Sequence, residues 1–277
     1  MAKSFIRKIT SAIRRRALWL ISPSPVDDYC EHSIIHPVQS GPSAPNEFLI
    51  ELSLNAAREA QKVALPEIAA RVREQAHDFT PTWPGEHYRL LAAVVKILRP
   101  TTVVEIGTFQ GLSALALMKF LPSDGHITTF DIVRWNDVST TCLVESDFAD
   151  NRLQQELGDL ADPIVFDRYR QLFERTELLF VDAPKDGIFE RRFLQNLETI
   201  QFNQPLLVMF DDIRVWNMLA IWHEIARPKI DITSFGHWSG TGFVEYLSRC
   251  PKRQQRQVPW LWVHAQSAFM RSTGPIC

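Results

Sequence analysis

TTVVEIGTFQGLSALAL, residues 101–117, changes its hydrophobic period part-way along. TTVVEIG (101–107) is a short run rich in β-branched and apolar residues, the pattern of a buried strand. From Gly111 the apolar residues follow one another as in a helix. Gly107 and Gly111 sit at the changeover, where glycine lets the backbone turn tightly and approach a ligand closely. Gly111 opens the helix, and Ser113 offers a hydroxyl there. The spacing is G-x-x-x-G, with Phe109 where a dinucleotide fingerprint has its second glycine, so the turn suits a small charged group better than a pyrophosphate. A turn of this kind is common in α/β proteins and needs further residues to acquire meaning.

Working outward, the same alternation recurs. HITTFDI (126–132), ELLFVDA (177–183) and PLLVMFDD (205–212) read as strands, and 111–121, 163–174, 187–197 and 213–226 read as helices. Strands alternating with helices imply right-handed βαβ units and a mainly parallel sheet. Leu206–Phe210 is apolar on both faces, as in a central strand covered on two sides. A further strand is placed at Leu153–Leu157, and IDITSF (230–235) with TGFVEYL (241–247) forms a closing antiparallel pair across GHWSG. Upstream, 46–63, 66–78 and 85–98 carry helical spacing, for example Leu90, Leu91, Val94, Val95 and Leu98. Three regions result: a head and arm over 1–45, a main domain over 46–249 with N-terminal cap helices, and a tail over 250–277 whose PWLWV segment packs on the body or a partner subunit.

The 277-residue chain is 45% hydrophobic and 22% charged, long enough to bury a core without disulfide or metal staples. Cys30, Cys142, Cys250 and Cys277 form no C-x-x-C pair, which argues against a structural zinc site and suits a reducing, cytoplasmic setting. No run of about 18 apolar residues is present, so no membrane-spanning helix is expected. A net charge of −2 is too balanced for an electrostatic nucleic-acid binder. The balance conceals an asymmetry: residues 1–25 carry six basic groups and no acid, leaving −8 on residues 26–277. Phe5, Ile6, Ile9, Ile13 and Leu20 recur at helical spacing among those basic groups. Residues 1–21 therefore read either as an amphipathic helix for peripheral contact with an anionic membrane or as a solvated, locally packed helix. Ala17–Ile21 is too short an apolar stretch for a secretory signal, and residues 22–45 hold five prolines and read as an arm.

In open parallel sheets ligands bind beyond the carboxyl ends of the strands, and the chemistry-bearing residues fall there. Asp131 ends the second strand, 26 residues after Glu105, where an acid accepts ribose hydroxyls; a helix cap or a surface acid is the ordinary alternative. The glycine turn and this acid together indicate a nucleoside-containing cofactor. Asp182 ends the 177–183 strand, and Asp211-Asp212 ends the next. Carboxylates so close repel one another, which protonation or a bound cation relieves, and hard oxygen donors favour Mg²⁺ or a similar divalent ion. A lone Asp-Asp pair is otherwise usually a turn or cap. Lys185, three residues past Asp182, is a candidate general base whose pKa a nearby cation would lower; its alternative role is a salt bridge to Asp182 or Asp186. His237, Trp238 and Gly240 are placed to line the same pocket, with His237 as a secondary base.

VVEIGTFQGLSALAL, HITTFDI, LLFVDAPKD and LLVMFDD, in this order, resemble the motifs of class I S-adenosylmethionine-dependent methyltransferases. More narrowly they resemble the divalent-metal-dependent O-methyltransferases of the catechol and caffeoyl-CoA type, over about residues 80–247. The resemblance implies a doubly wound, Rossmann-like α/β fold, with a seven-stranded, mainly parallel sheet whose final strand is antiparallel. It also implies roles. Glu105, Gly107, Thr108, Gly111 and Ser113 hold the methionine part of the cofactor, Asp131 the ribose, and Ile132 packs near the adenine. Asp159 and Leu160 meet the adenine edge, Trp83 makes a backbone contact, and Asp182 lies against both cofactor and metal. Asp182, Asp211 and Asp212 match the metal triad and Lys185 the base. The third ligand of that family is usually Asn; Asp212 here is similar to related enzymes that methylate sugar hydroxyls. The extra charge tightens metal binding and weakens the cation's acidifying effect on an acceptor. Pro184 stands where the family often has an acid.

The expected chemistry is methyl transfer from S-adenosylmethionine to a hydroxyl of a small molecule, with a divalent cation. The resemblance also favours a homodimer. Two other readings keep the scaffold: a sugar or glycolipid hydroxyl methylated at a membrane surface, and a non-catalytic cofactor-binding protein. A nucleic-acid substrate is not expected, because the body is acidic and the fourth strand leads into DAPKD.

Overall fold

The computed structural model describes residues 42–72 and 87–246. Trp83, the basic head, most of the proline-rich arm, residues 73–78 of the expected 66–78 helix, and residues 247–277 lie outside the described residues; of that helix only Pro66–Ala69 is helical, and residues 70–72 form a turn.

The helices are α1 (Glu47–Ala60), α2 (Pro66–Ala69), α3 (Tyr88–Leu98), α4 (Leu112–Met118), α5 (Pro163–Arg168), α6 (Arg170–Arg175), α7 (Ile188–Leu197) and α8 (Met218–Glu224). The strands are β1 (Thr102–Ile106), β2 (His126–Asp131), β3 (Leu153–Leu157), β4 (Leu178–Val181), β5 (Leu206–Asp211), β6 (Lys229–Asp231) and β7 (Thr241–Tyr246). They form one sheet in the order β3-β2-β1-β4-β5-β7-β6. β7 runs antiparallel to both of its neighbours, and every other pairing is parallel. The expected seven-stranded doubly wound sheet is borne out, including the strand at 153–157.

Strand periodicity sorts the side chains into two cores. Val103, Leu178, Phe180, Leu207, Met209 and Phe243 face α1–α4, while Val104, Leu179, Val181, Val208, Phe210 and Val244 face the aromatic layer of α5–α8. In that second layer Phe166 and Phe173 stack at 4.7 Å. The same parity aims Glu105, Asp182 and Asp211 toward the α3 side, because each lies two residues beyond an apolar member of that face. On both β4 and β5 the polar residue is the one at or just past the carboxyl end.

Several boundaries depart from the periodicity. The 163–174 helix breaks at Tyr169, whose ring packs edge-on against Phe130 at 4.7 Å and whose hydroxyl donates to Glu156 at 2.9 Å. The helix expected from 213 begins only at Met218, because Asp212 and Trp216 take positive φ. Of the 230–235 strand only the first part pairs, and Thr233–Phe235 closes as a 3₁₀ turn on Asp231. α3 ends before Pro100 with Arg99 in the left-handed region, as the bar on helical backbone before proline requires. The start of α1 is tied to the sheet: Asn46 caps Leu49 N at 3.0 Å, and its amide donates to Glu245 on β7. Among the described residues, no helix is long and apolar enough to cross a membrane.

Candidate active site

The chain leaves β1 for β2 and β3 on one side and returns to β4 and β5 on the other, so β1 and β4 flank the point where strand order reverses. Such a crevice is where open α/β sheets bind ligands. Here the two backbones nearly touch. Asp182 N donates to Ile106 O at 2.9 Å, and a Cβ on Gly107 would lie 2.1 Å from the Asp182 carbonyl oxygen. Gly107 also has φ +101, so no other residue fits this turn without displacing β4.

Asp131 secures the other side of the turn. Its carboxylate accepts from Phe109 N at 3.0 Å, from Ile132 N at 2.7 Å and from Val133 N at 3.1 Å. Phe109 and Ile132 stand exposed beside it, 64% and 76% accessible, leaving apolar surface at the mouth of the crevice. Thr108 is buried, its hydroxyl 2.8 Å from that of Thr129 and accepting from Gln155 at 3.1 Å, so its backbone is what it offers to a ligand. Ser113 is buried on α4. Glu105 is fully buried, with no hydrogen bond of ordinary geometry to either carboxylate oxygen. Burial pushes its pKa up to about 7; the Asp182 charge adds to the rise, and the Ser113 and Thr129 hydroxyls and His87 oppose it. Asp159 lies on an exposed turn, accepting from Ala161 N at 2.9 Å. The Leu160 side chain is in the core, and its carbonyl accepts from Asn196 at 3.0 Å.

Asp182, Asp211 and Asp212 converge, with one oxygen from each within 4.8 Å of the others. That is a compact set of hard oxygen donors, and it fits a divalent cation. Lys185 sits among them, bound to Asp182 and 2.8 Å from Asp212. Burial lowers its pKa, but these two carboxylates outweigh burial and hold the ammonium well above its ordinary value. The salt bridge is thus formed to Asp182 and Asp212. Asp186 is not a partner of Lys185: it caps α7, accepting from Ile188 N at 2.7 Å and Phe189 N at 2.8 Å. Lys185 takes φ +65, and its backbone N–H donates to buried Glu190 at 2.7 Å, which fixes the loop that carries it. Burial and the Asp211 charge raise the pKa of Asp182, while Lys185 and His87 pull it down.

Two histidines complete the cluster. His237 Nδ1 lies 3.1 Å from Asp211 Oδ1 and 2.9 Å from Ser239 Oγ, and Ser239 donates to Asp212. His87 Nδ1 lies 3.4 Å from the same Asp211 oxygen. Burial would raise the pKa of Asp211, but the two imidazoles outweigh burial and hold it well below the ordinary carboxylate range. His237 therefore adjoins the aspartate cluster, while Trp238 stands at its rim, 72% exposed. Sequence reasoning missed His87; its place just ahead of the helix that leads into β1 was the available signal.

The O-methyltransferase family model matches residues 62–224, more than half of the chain. The chain belongs to the O-methyltransferase family. The family assignment bears out the resemblance read from the four motifs. Among curated relatives of this family member, "Probable caffeoyl-CoA O-methyltransferase 3" of Dictyostelium discoideum is 24% identical over 159 residues, 53% of this chain and 58% of that protein. Caffeoyl-CoA O-methyltransferase of Stellaria longipes is 31% identical over 101 residues, 35% of this chain and 41% of that protein. The chain thus spans about two-fifths to three-fifths of these relatives' length. The solved structure of the O-methyltransferase TomG from Streptomyces achromogenes, in complex with SAM, is 19% identical, covers 80% of this chain and 96% of its own, and gives a TM-score of 0.45.

Proposed function

We propose that this O-methyltransferase family member transfers the methyl group of S-adenosylmethionine to a hydroxyl of a small molecule, assisted by a divalent cation. The observation that carries this reading is the meeting of two features at one strand-order reversal: the Gly107 turn against the Asp182 carbonyl, and the Asp182–Asp211–Asp212 cluster on its other side.

In this reading the turn from Glu105 to Ser113 takes the methionine part of the cofactor, Asp131 the ribose, and exposed Ile132 the adenine face. Asp159 and the Leu160 backbone take the adenine edge, and Trp83, outside the described residues, is assigned a backbone contact to the cofactor. The three aspartates hold Mg²⁺ or a similar ion, which when bound orients the acceptor hydroxyl and lowers its pKa. Lys185 must be neutral at Nζ to take the hydroxyl proton. Paired with Asp182 and Asp212 it stays an ammonium; once those carboxylates direct their charge elsewhere, burial favours the neutral amine. His237, within hydrogen-bond reach of Asp211 and Ser239, is the secondary proton acceptor. The α3 start closes over the cluster through His87 and limits water.

Three further features stand as proposals: homodimerisation, peripheral contact of residues 1–21 with anionic membrane, and the division at 45 and 249. The test of the main reading is transfer of labelled methyl from S-adenosylmethionine to a panel of catechols, other phenols and sugar alcohols. Turnover abolished by chelator and restored by Mg²⁺ is expected. Turnover that persists in excess chelator removes the cation. No turnover on any acceptor, together with tight cofactor binding, favours the non-catalytic reading.

A further inference from the structure

Asp211 belongs to two clusters at once. One is the all-oxygen set with Asp182 and Asp212; the other joins it to His87 and His237, again with one donor atom from each residue inside 4.8 Å. We propose that His87, Asp211 and His237 form a nitrogen-bearing cation site, which takes a borderline divalent ion of the Zn²⁺ or Co²⁺ class. This goes beyond the methyl-transfer reading and does not depend on it.

Ligand atoms about 2.0–2.2 Å from a tetrahedral or octahedral ion lie roughly 3–3.5 Å from one another. His237 Nδ1 and His87 Nδ1 lie 3.1 Å and 3.4 Å from the same oxygen, Asp211 Oδ1. Both imidazoles thus direct the same ring nitrogen at one carboxylate oxygen. The rings are held in place. His87 is wedged against Tyr88 at 4.7 Å and Phe180 at 5.0 Å, and its ring centroid is 5.5 Å from that of His237. The His237 backbone N–H donates to Thr241 Oγ1 at 2.7 Å, on the strand paired with the end of β5.

Charge and chemistry agree with the geometry. Lys185 is engaged by Asp182 and Asp212, so Asp211 is the carboxylate of the cluster left to the imidazoles. Two neutral imidazoles and one carboxylate make a mixed N₂O donor set. Imidazole suits Zn²⁺ and Co²⁺, whereas Mg²⁺ prefers oxygen and keeps its water. His87 and Asp211 are each 2% exposed, whereas His237 is only partly buried and adjoins the exposed rim at Trp238, which gives an ion a way in.

The test uses the full chain without cofactor. Co²⁺ binding is followed by its visible absorption, Mg²⁺ binding by calorimetry, and the ligands of the Zn²⁺-loaded protein by X-ray absorption. Two imidazole ligands are expected on Zn²⁺. His87→Gln and His237→Gln are each expected to weaken Co²⁺ by more than the roughly 10–100-fold that loss of an outer-shell partner costs, and by a larger factor than they weaken Mg²⁺. An oxygen-only Zn²⁺ environment, or equal Co²⁺ affinity in wild type and folded variants, overturns the proposal and leaves a His–Asp–His hydrogen-bonded chain. The absorption measurement needs no variant, so misfolding of a mutant does not blunt the test. Failure of methyl transfer would leave these readouts untouched.

Discussion

Glu105→Gln isolates the electrostatic cost of the glycine-turn architecture. Glu105 is fully buried on β1, and its pKa rises from 4.5 to about 7, chiefly through burial. An acid with a raised folded-state pKa holds its proton longer in the native chain than in the unfolded one. Between those two values the unfolded state binds fewer protons, so stability falls as pH rises. The contribution is complete below about pH 4.5 and gone above about pH 7. A shift of about 2.5 at 1.36 kcal/mol per pH unit amounts to about 3 kcal/mol. Glutamine has the same shape and no charge to bury, so the variant should lack this decline. Urea unfolding at pH 5 and pH 8, at matched ionic strength, measures it. The stability difference, variant minus wild type, should grow by about 3 kcal/mol between the two, less the small part already lost at pH 5. Parallel pH profiles would show that Glu105 ionises as an ordinary carboxylate and that the desolvation reasoning is wrong.

Gly107→Ala must move the Asp182 carbonyl, so a loss of at least about 2 kcal/mol and of cofactor binding is expected from unfolding and calorimetry. Retention of both would show that the β1–β4 approach is loose. Lys185→Met removes the ammonium that occupies Asp182 and Asp212. Divalent-cation affinity should rise several-fold in calorimetry, while methyl transfer falls by about 10²–10⁴; weaker cation binding would contradict the pairing. Asp131→Asn leaves a neutral acceptor for Phe109 N and the ribose, and should weaken S-adenosylhomocysteine about tenfold or more, read by calorimetry. Phe173→Ala, in the stacked aromatic layer, should cost about 3–5 kcal/mol in denaturant unfolding without changing cofactor affinity.

Strand runs such as Leu206–Phe210 announced the sheet, because a central parallel strand is apolar on both faces. The acids at 182, 211 and 212 were readable as a group because strand ends on neighbouring strands necessarily meet. Other features depended on tertiary placement. His87 matters because the start of α3 lies over the ends of β4 and β5; its place ahead of the helix leading into β1 marks the position but not the contact with Asp211. Lys185 had two candidate acidic partners on its own loop, Asp182 and Asp186. Cap geometry at Ile188 and Phe189 removed Asp186, and the β5 end supplied Asp212 instead. The split at Tyr169 was invisible to helical periodicity, because it serves a contact with Phe130 across the sheet face. Glu105 was placed with the ligand loop; parity puts it on the same face as Val103, under α3 and α4.

In the proposed reading, the crevice between β1 and β4 holds the nucleoside of a methyl donor. Isothermal titration of the full-length chain with S-adenosylhomocysteine tests it most directly. Saturable heat at one site per chain is expected, with affinity about tenfold or more weaker in folded Asp131→Asn protein and the heat lost in folded Gly107→Ala protein. No heat from folded wild-type protein, with or without Mg²⁺, would contradict it.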